Sequence, residues 1–420
     1  MPTRALTPLE IPYVVTNTTS SGSFVVRGPV DADRLAAAYA ALRREHPVLT
    51  GRIVPTAFGF DVAVPDAPVA EDVAPVTVER RAFAPGDVRL GLRPEAGTAA
   101  LQLVSDGLLH RVTLGVNHAI ADGAHALYLN LRLWQLYTDP AAEAAPAPGL
   151  PLAPLDLAGR VRDSGAAAPA HPAVAVESAG SVPTAVAVDG GEFGFERIRI
   201  DAPATDGLRL RAKAAGLSMH GLLAGLIVAA ERAELPGPVD RAASMAVFSP
   251  VDLRGRCDPP VAPAAVTNFA GSSTAPITVR GDAAPEAIGR AVLDRLRADL
   301  ADGTVAAALT GAAGDPVTGG APVRLSDIGA IPAPATPDGV VALDFHTSSE
   351  VDIERVRPLV RSGPPEALAP LVGLHYHALT FDGRLSIELR HAPGTLSAEA
   401  VRRIRGRIER ALTAPVGAAA

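Results

Sequence analysis

A histidine at position 118, an aspartate at 122 and a glycine at 123 stand together in VNHAIADGAH, residues 116–125, between an alternating apolar run and a long apolar helix. Imidazole titrates at about pH 6.5, so at neutral pH it can take a proton from an attacking alcohol or amine. A base held in place typically contributes on the order of 10²–10⁴ in rate. His118 follows directly on a strand and projects from the rim of a sheet. Asp122 either caps the next helix or pairs with a distant arginine. Gly123 allows a tight turn and a close approach to a ligand, and amides at the helix start could face a developing oxyanion. The bland alternative is a hydrogen-bonded core histidine beside an ordinary cap.

Other chemistry is sparse. His118 with His125, and His375 with His377, are the histidine pairs. The second pair alternates along a strand and shares a face, but no third ligand is placed, so no metal site is expected. Cys257 in LRGRCDPP lacks a nucleophile signature. GxGxxG, GxSxG and a phosphate-loop lysine are missing, which removes sequence support for dinucleotide, serine-hydrolase and P-loop readings.

The elements that must position His118 are legible from periodicity. RVTLGV reads as a strand with Val112, Leu114 and Val116 on one face. Residues from Ala124 to about Tyr137 read as a deeply buried helix, apolar on several sides. Upstream, GSFVVRG is a strand. Leu35, Ala38, Tyr39 and Leu42 form one helical face, with Asp31 as N-cap and Pro47 beyond the end. From about Asp139 to Gly191 proline, alanine and glycine dominate, which reads as a partly mobile crossover. Further on, FERIRI is a strand and residues 205–215 a helix. Ser218 caps another helix, and one follows Pro285. VVALDF, HYHALTF and RLSIELRH are strands, the last two joined by a DG hairpin turn, and a final helix runs from about Ser397 to Leu412. Strands and helices mix without a βαβ rhythm, so the fold class expected is α+β rather than doubly wound.

The chain has 420 residues, beyond the usual single core, and 48% hydrophobic content, enough for two. A net charge of −7 and 4% aromatics argue against nucleic-acid binding. Neither a membrane span nor an export signal is visible, and the one cysteine suits a reducing cytoplasm.

The run HxxxDG, with LTPLE, HPVLTGRI, SPVDLRGRCDPPVAP, TNFAG and FDGRLSIELRH in order along nearly the whole chain, resembles the polyketide-associated acyltransferases. These belong to the superfamily of chloramphenicol acetyltransferase, condensation domains and BAHD enzymes. The resemblance implies two chloramphenicol-acetyltransferase-like lobes with a tunnel between them: an N-terminal lobe at 1–150, a Pro/Ala/Gly-rich linker at 151–191, and a C-terminal lobe at 192–420. RLSDIG, 324–329, would lead to a strand, after about 326, that crosses to the first lobe. It further implies an O-acyltransferase with His118 as general base. The acyl donor would be coenzyme A or an acyl carrier protein carrying the group as a thioester substrate, with no cofactor. The acceptor would be a hydroxyl of a polyketide-like natural product or complex lipid, and no covalent acyl-enzyme would form. Asp122 would pair structurally with Arg254 of PVDLR, whose alternative is a solvated loop arginine. Thr267 and Asn268 would contact the oxyanion or thioester arm, with a structural turn as the alternative.

Asn117 stands where condensation domains and chloramphenicol acetyltransferase usually carry a second histidine, which weakens the resemblance to those two groups relative to a polyketide-associated O-acyltransferase. VRRIRGRIER near the C-terminus would dock a carrier or coenzyme A phosphates, or simply be a solvated basic face. Short-chain acetylation of an antibiotic scaffold, a free-standing amide synthase, and a silent binding module are the alternatives. A cytoplasmic monomer is the expectation.

Overall fold

Two mixed sheets, each backed by helices, meet along a seam, and His118 lies at the end of one of them. The computed structural model describes residues 2–65, 76–84, 86–88, 90–144, 149–162, 173–180, 192–310, 317–362 and 374–414. In chain order the strands are β1 (Thr3–Ala5), β2 (Thr19–Arg27), β3 (Arg52–Thr56), β4 (Gly59–Ala63), β5 (Thr77–Arg80), β6 (Ala99–Ser105), β7 (Leu109–Asn117) and β8 (Val174–Val176). They continue as β9 (Gly194–Ile200), β10 (Ala242–Asp252), β11 (Ala270–Arg280), β12 (Val317–Gly319), β13 (Val323–Ile331), β14 (Val341–Glu350), β15 (Leu374–Phe381) and β16 (Arg384–His391).

The first sheet has the order β14-β2-β7-β6-β5 and the second β11-β10-β13-β15-β16-β9. A three-stranded sheet, β1-β4-β3, and the pair β12-β8 lie outside them. In the first sheet Phe24, Val26, Val112, Leu114 and Val116 join Leu35, Leu42, Leu129, Leu133 and Trp134 in one core. In the second, Val247, Leu325, Tyr376 and Ile387 pack with Leu222, Leu226, Ile288, Val292 and Ile404. β7 is buried on both faces, because the side carrying Arg111 and Thr113 is covered as well. Arg111 donates to the carbonyls of Ala84 and Asp87 in the chain that crosses that face.

β13, which contains RLSDIG, stays in the second sheet, parallel to β10 and β15. The strand that joins the first sheet is β14, antiparallel to β2 from Val341 opposite Arg27 to Glu350 opposite Thr19. Phe345 on β14 lies 4.7 Å from Phe24, and Phe381 on β15 lies 6.0 Å from it. One aromatic cluster therefore draws on both sheets.

The Pro/Ala/Gly-rich stretch differs from a loose crossover wherever it is described. Residues Pro154–Ala158 are helical, and Leu157 and Val161 are buried with Leu253, Cys257, Phe269 and Leu309. β8 pairs with β12. Isolated apolar residues, too few to show a period, suffice to anchor it. Residues 163–172 and 181–191 of that stretch lie outside the described residues.

Candidate functional site

His118 comes first after β7, its backbone N–H held by the Thr18 carbonyl at 2.7 Å. β2 and β7 pair as Thr19 with Asn117, so the ring emerges at the closed end of the sheet. Tyr13, from the short helix Ile11–Val15, stacks on the imidazole with centroids 4.0 Å apart and planes 11° apart. Nδ1 lies 3.2 Å from Oδ1 of Asn268. The orientation of that amide is dictated by its other end, because Nδ2 donates to the carbonyls of His118 and Ala119 at 2.8 and 2.9 Å. Oδ1 must then accept, so Nδ1 carries the proton and Nε2 the lone pair. Nε2 hydrogen-bonds to no described residue and is not sealed from solvent. Burial lowers the imidazole pKa below its ordinary value, with a nearby carboxylate, Asp122, opposing this weakly. The arrangement is a neutral imidazole with one orientation, one tautomer and an open basic nitrogen.

Asp122 does two jobs. It caps helix Gly123–Thr138 by accepting from the His125 amide at 3.0 Å. Its other oxygen accepts from Arg254 at 2.7 Å and from the Phe269 amide at 2.7 Å. Both side chains are buried. Arg254 also donates to Asp252 and to the carbonyls of Val266 and Thr267. Burial works against ionising Asp122, but the guanidinium and the two amides outweigh it and hold the pKa below the usual carboxylate value. This pair fastens the turn after His118 to the segment between β10 and β11 of the second lobe.

Three sequence-based expectations need correction. Gly123 has no left-handed backbone, and a Cβ there would meet nothing within 4 Å, so neither turn geometry nor packing demands glycine. Thr267 is fully buried, and its hydroxyl donates to Glu10 and accepts from Arg4, so its proton is committed within the protein. Asn268 has both amide protons committed to carbonyls and cannot donate to an oxyanion. Its effect is on the tautomer of His118.

Asn117, whose side chain bonds Asn17 and the Ala119 amide, shapes the turn. His125 is buried, and burial takes its pKa down to about 4. Among the described residues no group of three or more His, Cys, Asp or Glu is placed to hold a metal. Cys257 is buried, and burial raises its thiol pKa. On the C-terminal helix Arg403 and Arg407 pair with Glu234, and Arg405 with Glu196 and Glu409, which favours the solvated basic face. Tyr13 and Glu10 were not singled out from sequence. Glu10 closes the LTPLE segment and accepts from Thr7, Arg4 and Thr267, which a motif match alone does not show.

A cavity of ≈ 640 Å³ flanks the strand ends that present His118. Its walls include Asn17, Thr19, Leu92, Phe193, Glu350 and Asp352, but not His118 itself.

Comparison with known proteins follows the same lines. Residues 189–390 match the family model described as the C-terminus of phthiocerol/phthiodiolone dimycocerosyl transferase. The Mycobacterium tuberculosis protein of that name is 27% identical over 312 residues, 68% of this chain and 70% of the relative. The Mycobacterium leprae protein is 26% identical over 311 residues, with the same two shares. The chain is thus similar to these transferases over its C-terminal residues 189–390 and, at 26–27% identity, over about two thirds of its length. Solved structures agree on the fold. Polyketide synthase associated protein 5 from M. tuberculosis superposes with a TM-score of 0.73 at 22% identity, covering 98% of both chains. Trichothecene 15-O-acetyltransferase from Fusarium sporotrichioides gives 0.67 at 12% identity, over 98% of this chain and 94% of that one. The first condensation domain of the CDA synthetase gives 0.65 at 16%, over 99% and 97%. Among the described residues no single helix of this chain is long and apolar enough to cross a membrane.

Proposed function

We propose that this chain is an acyltransferase that moves an acyl group from a thioester, on coenzyme A or the phosphopantetheine of a carrier protein, to a hydroxyl of a polyketide-like natural product or complex lipid. His118 Nε2 takes the hydroxyl proton as the oxygen bonds to the thioester carbon. The tetrahedral oxyanion collapses, the C–S bond breaks, and the thiolate recovers the proton from the imidazolium to leave as thiol. No acyl-enzyme forms, and the acyl thioester is a substrate rather than a bound cofactor.

The observation that carries this reading is the Asn268 contact. It leaves Nε2 as the basic nitrogen on a ring already clamped by Tyr13. Asn268 touches the ring from the second lobe, and the Asp122–Arg254 pair fastens the turn that carries it. Offering acetyl- and palmitoyl-coenzyme A with 1-octanol and with octylamine, and weighing the products by mass spectrometry, tests it. Ester product supports the reading. Amide alone would point instead to a condensation-type synthase.

A further inference from the structure

Two more histidines, which the reaction above does not use, lie within electrostatic reach of His118. His375 and His377 lie on β15, on the face opposite Tyr376 and Ala378, which are in the second lobe's core. Their rings stack with centroids 4.2 Å apart and planes 37° apart. Ser326 on β13, directly opposite His377 in register, places its hydroxyl 3.3 Å from Nε2 of His375. Nδ1 of His377 is buried without a partner. The remaining nitrogens, Nδ1 of His375 and Nε2 of His377, hydrogen-bond to no described residue and, like Nε2 of His118, are not sealed from solvent. Both rings interact electrostatically with His118.

Acyl transfer places negative charge on the former carbonyl oxygen, and something must receive it. Asn268 and Thr267 are committed elsewhere. We propose that His375 and His377 are further catalytic residues, whose neutral imidazole N–H groups receive the oxyanion across the seam from His118. This rests on the O-acyltransferase reading. In this proposal Nε2 of His375 accepts from the Ser326 hydroxyl, 3.3 Å away, and Nδ1 carries the proton. In His377 the tautomer with a proton on Nε2 avoids a buried unpaired N–H and turns the donor to the open side. Burial, with the neighbouring charges, keeps His375 well below its ordinary pKa and takes His377 down to about 4, so both rings are uncharged donors at pH 7 and do not compete with His118 for the proton. The oxyanion gains two hydrogen bonds as it forms. It loses them as C=O re-forms and C–S breaks.

The test compares His377→Gln, whose amide nitrogen falls near the Nε2 position, with His377→Asn, whose amide falls near Nδ1. Both are assayed beside wild type and His118→Ala with acetyl- or palmitoyl-coenzyme A and 1-octanol, and melting curves report folding. His377→Asn is expected to lose on the order of 10²-fold in kcat with KM for both substrates unchanged within about twofold, while His377→Gln recovers most of the loss. Equal rates for the two variants, or a loss confined to KM, overturns the proposal. An active wild type that is abolished by His118→Ala keeps the acyltransferase reading alive even then. A wild type that transfers to no acceptor ends both.

Discussion

At the scale of single residues, the proposed chemistry depends on which nitrogen of His118 is free. Asn268→Leu removes the acceptor for Nδ1–H while leaving Tyr13 stacked, so the wrong tautomer becomes accessible. The expected outcome is a fall in kcat on the order of 10-fold or more, together with a lower thermal midpoint because the His118 and Ala119 carbonyls lose their donor, read from steady-state rates on the folded protein and from melting curves. Because burial lowers the His118 pKa, the basic form persists below the ordinary range. The rate should therefore fall only as pH drops through an apparent pKa below about 6.5, and a profile of kcat/KM against pH checks this. HxxxDG made His118 and Asp122 legible, and VDLR pointed to Arg254. Asn268 was visible as a residue but not in its effect, since a side-chain amide 150 positions away has no orientation until both of its hydrogen bonds exist. Tyr13 sits in IPYVV, five helical residues with no periodic face to read.

At the scale of elements, the Asp122–Arg254 pair joins the start of a first-lobe helix to the turn after β10. Removing one partner leaves the other charge buried. Asp122→Asn should therefore cost on the order of 3–5 kcal/mol in a denaturant titration, with activity falling alongside. Asp122→Asn with Arg254→Met should recover part of that stability, which single substitutions would not. The sign with pH follows from the depressed Asp122 pKa: its contribution is full above the unfolded carboxylate pKa and fades as pH falls through the folded one. Helix boundaries were read closely, Gly123–Thr138 against Ala124 to Tyr137, because Asp122 is a cap and the apolar stripe is continuous. β10 and β11 carry Pro250 and Pro276, and helix Ile353–Ser362 carries Pro358, which broke the periodic signals there.

At the scale of the whole molecule, β14 makes the lobes interdependent. It completes the first sheet, yet Arg197 of β9 holds its Asp344 at 2.7 and 2.9 Å, and His346 contacts Glu388 of β16 at 2.9 Å. Phe345 lies under Phe24 in the shared aromatic cluster. Phe345→Ala is expected to cost about 3–5 kcal/mol and to lower one common unfolding transition, followed by calorimetry, rather than release the first lobe alone. The α+β class is legible from unrhythmic strands and helices, whereas two sheet-based lobes are implied only by the family resemblance. The order of strands was not, since pairing of residue 341 with residue 27 is a long-range event that local pattern does not encode.

The most direct measurement is ester formation from acetyl- or palmitoyl-coenzyme A and 1-octanol by wild type and by His118→Ala, followed by mass spectrometry at neutral pH. The account predicts ester from wild type and a rate lower by on the order of 10²–10⁴ in the variant, with no acylated protein in either. Equal rates from the two proteins, or a covalently acylated chain on the path to product, would contradict it.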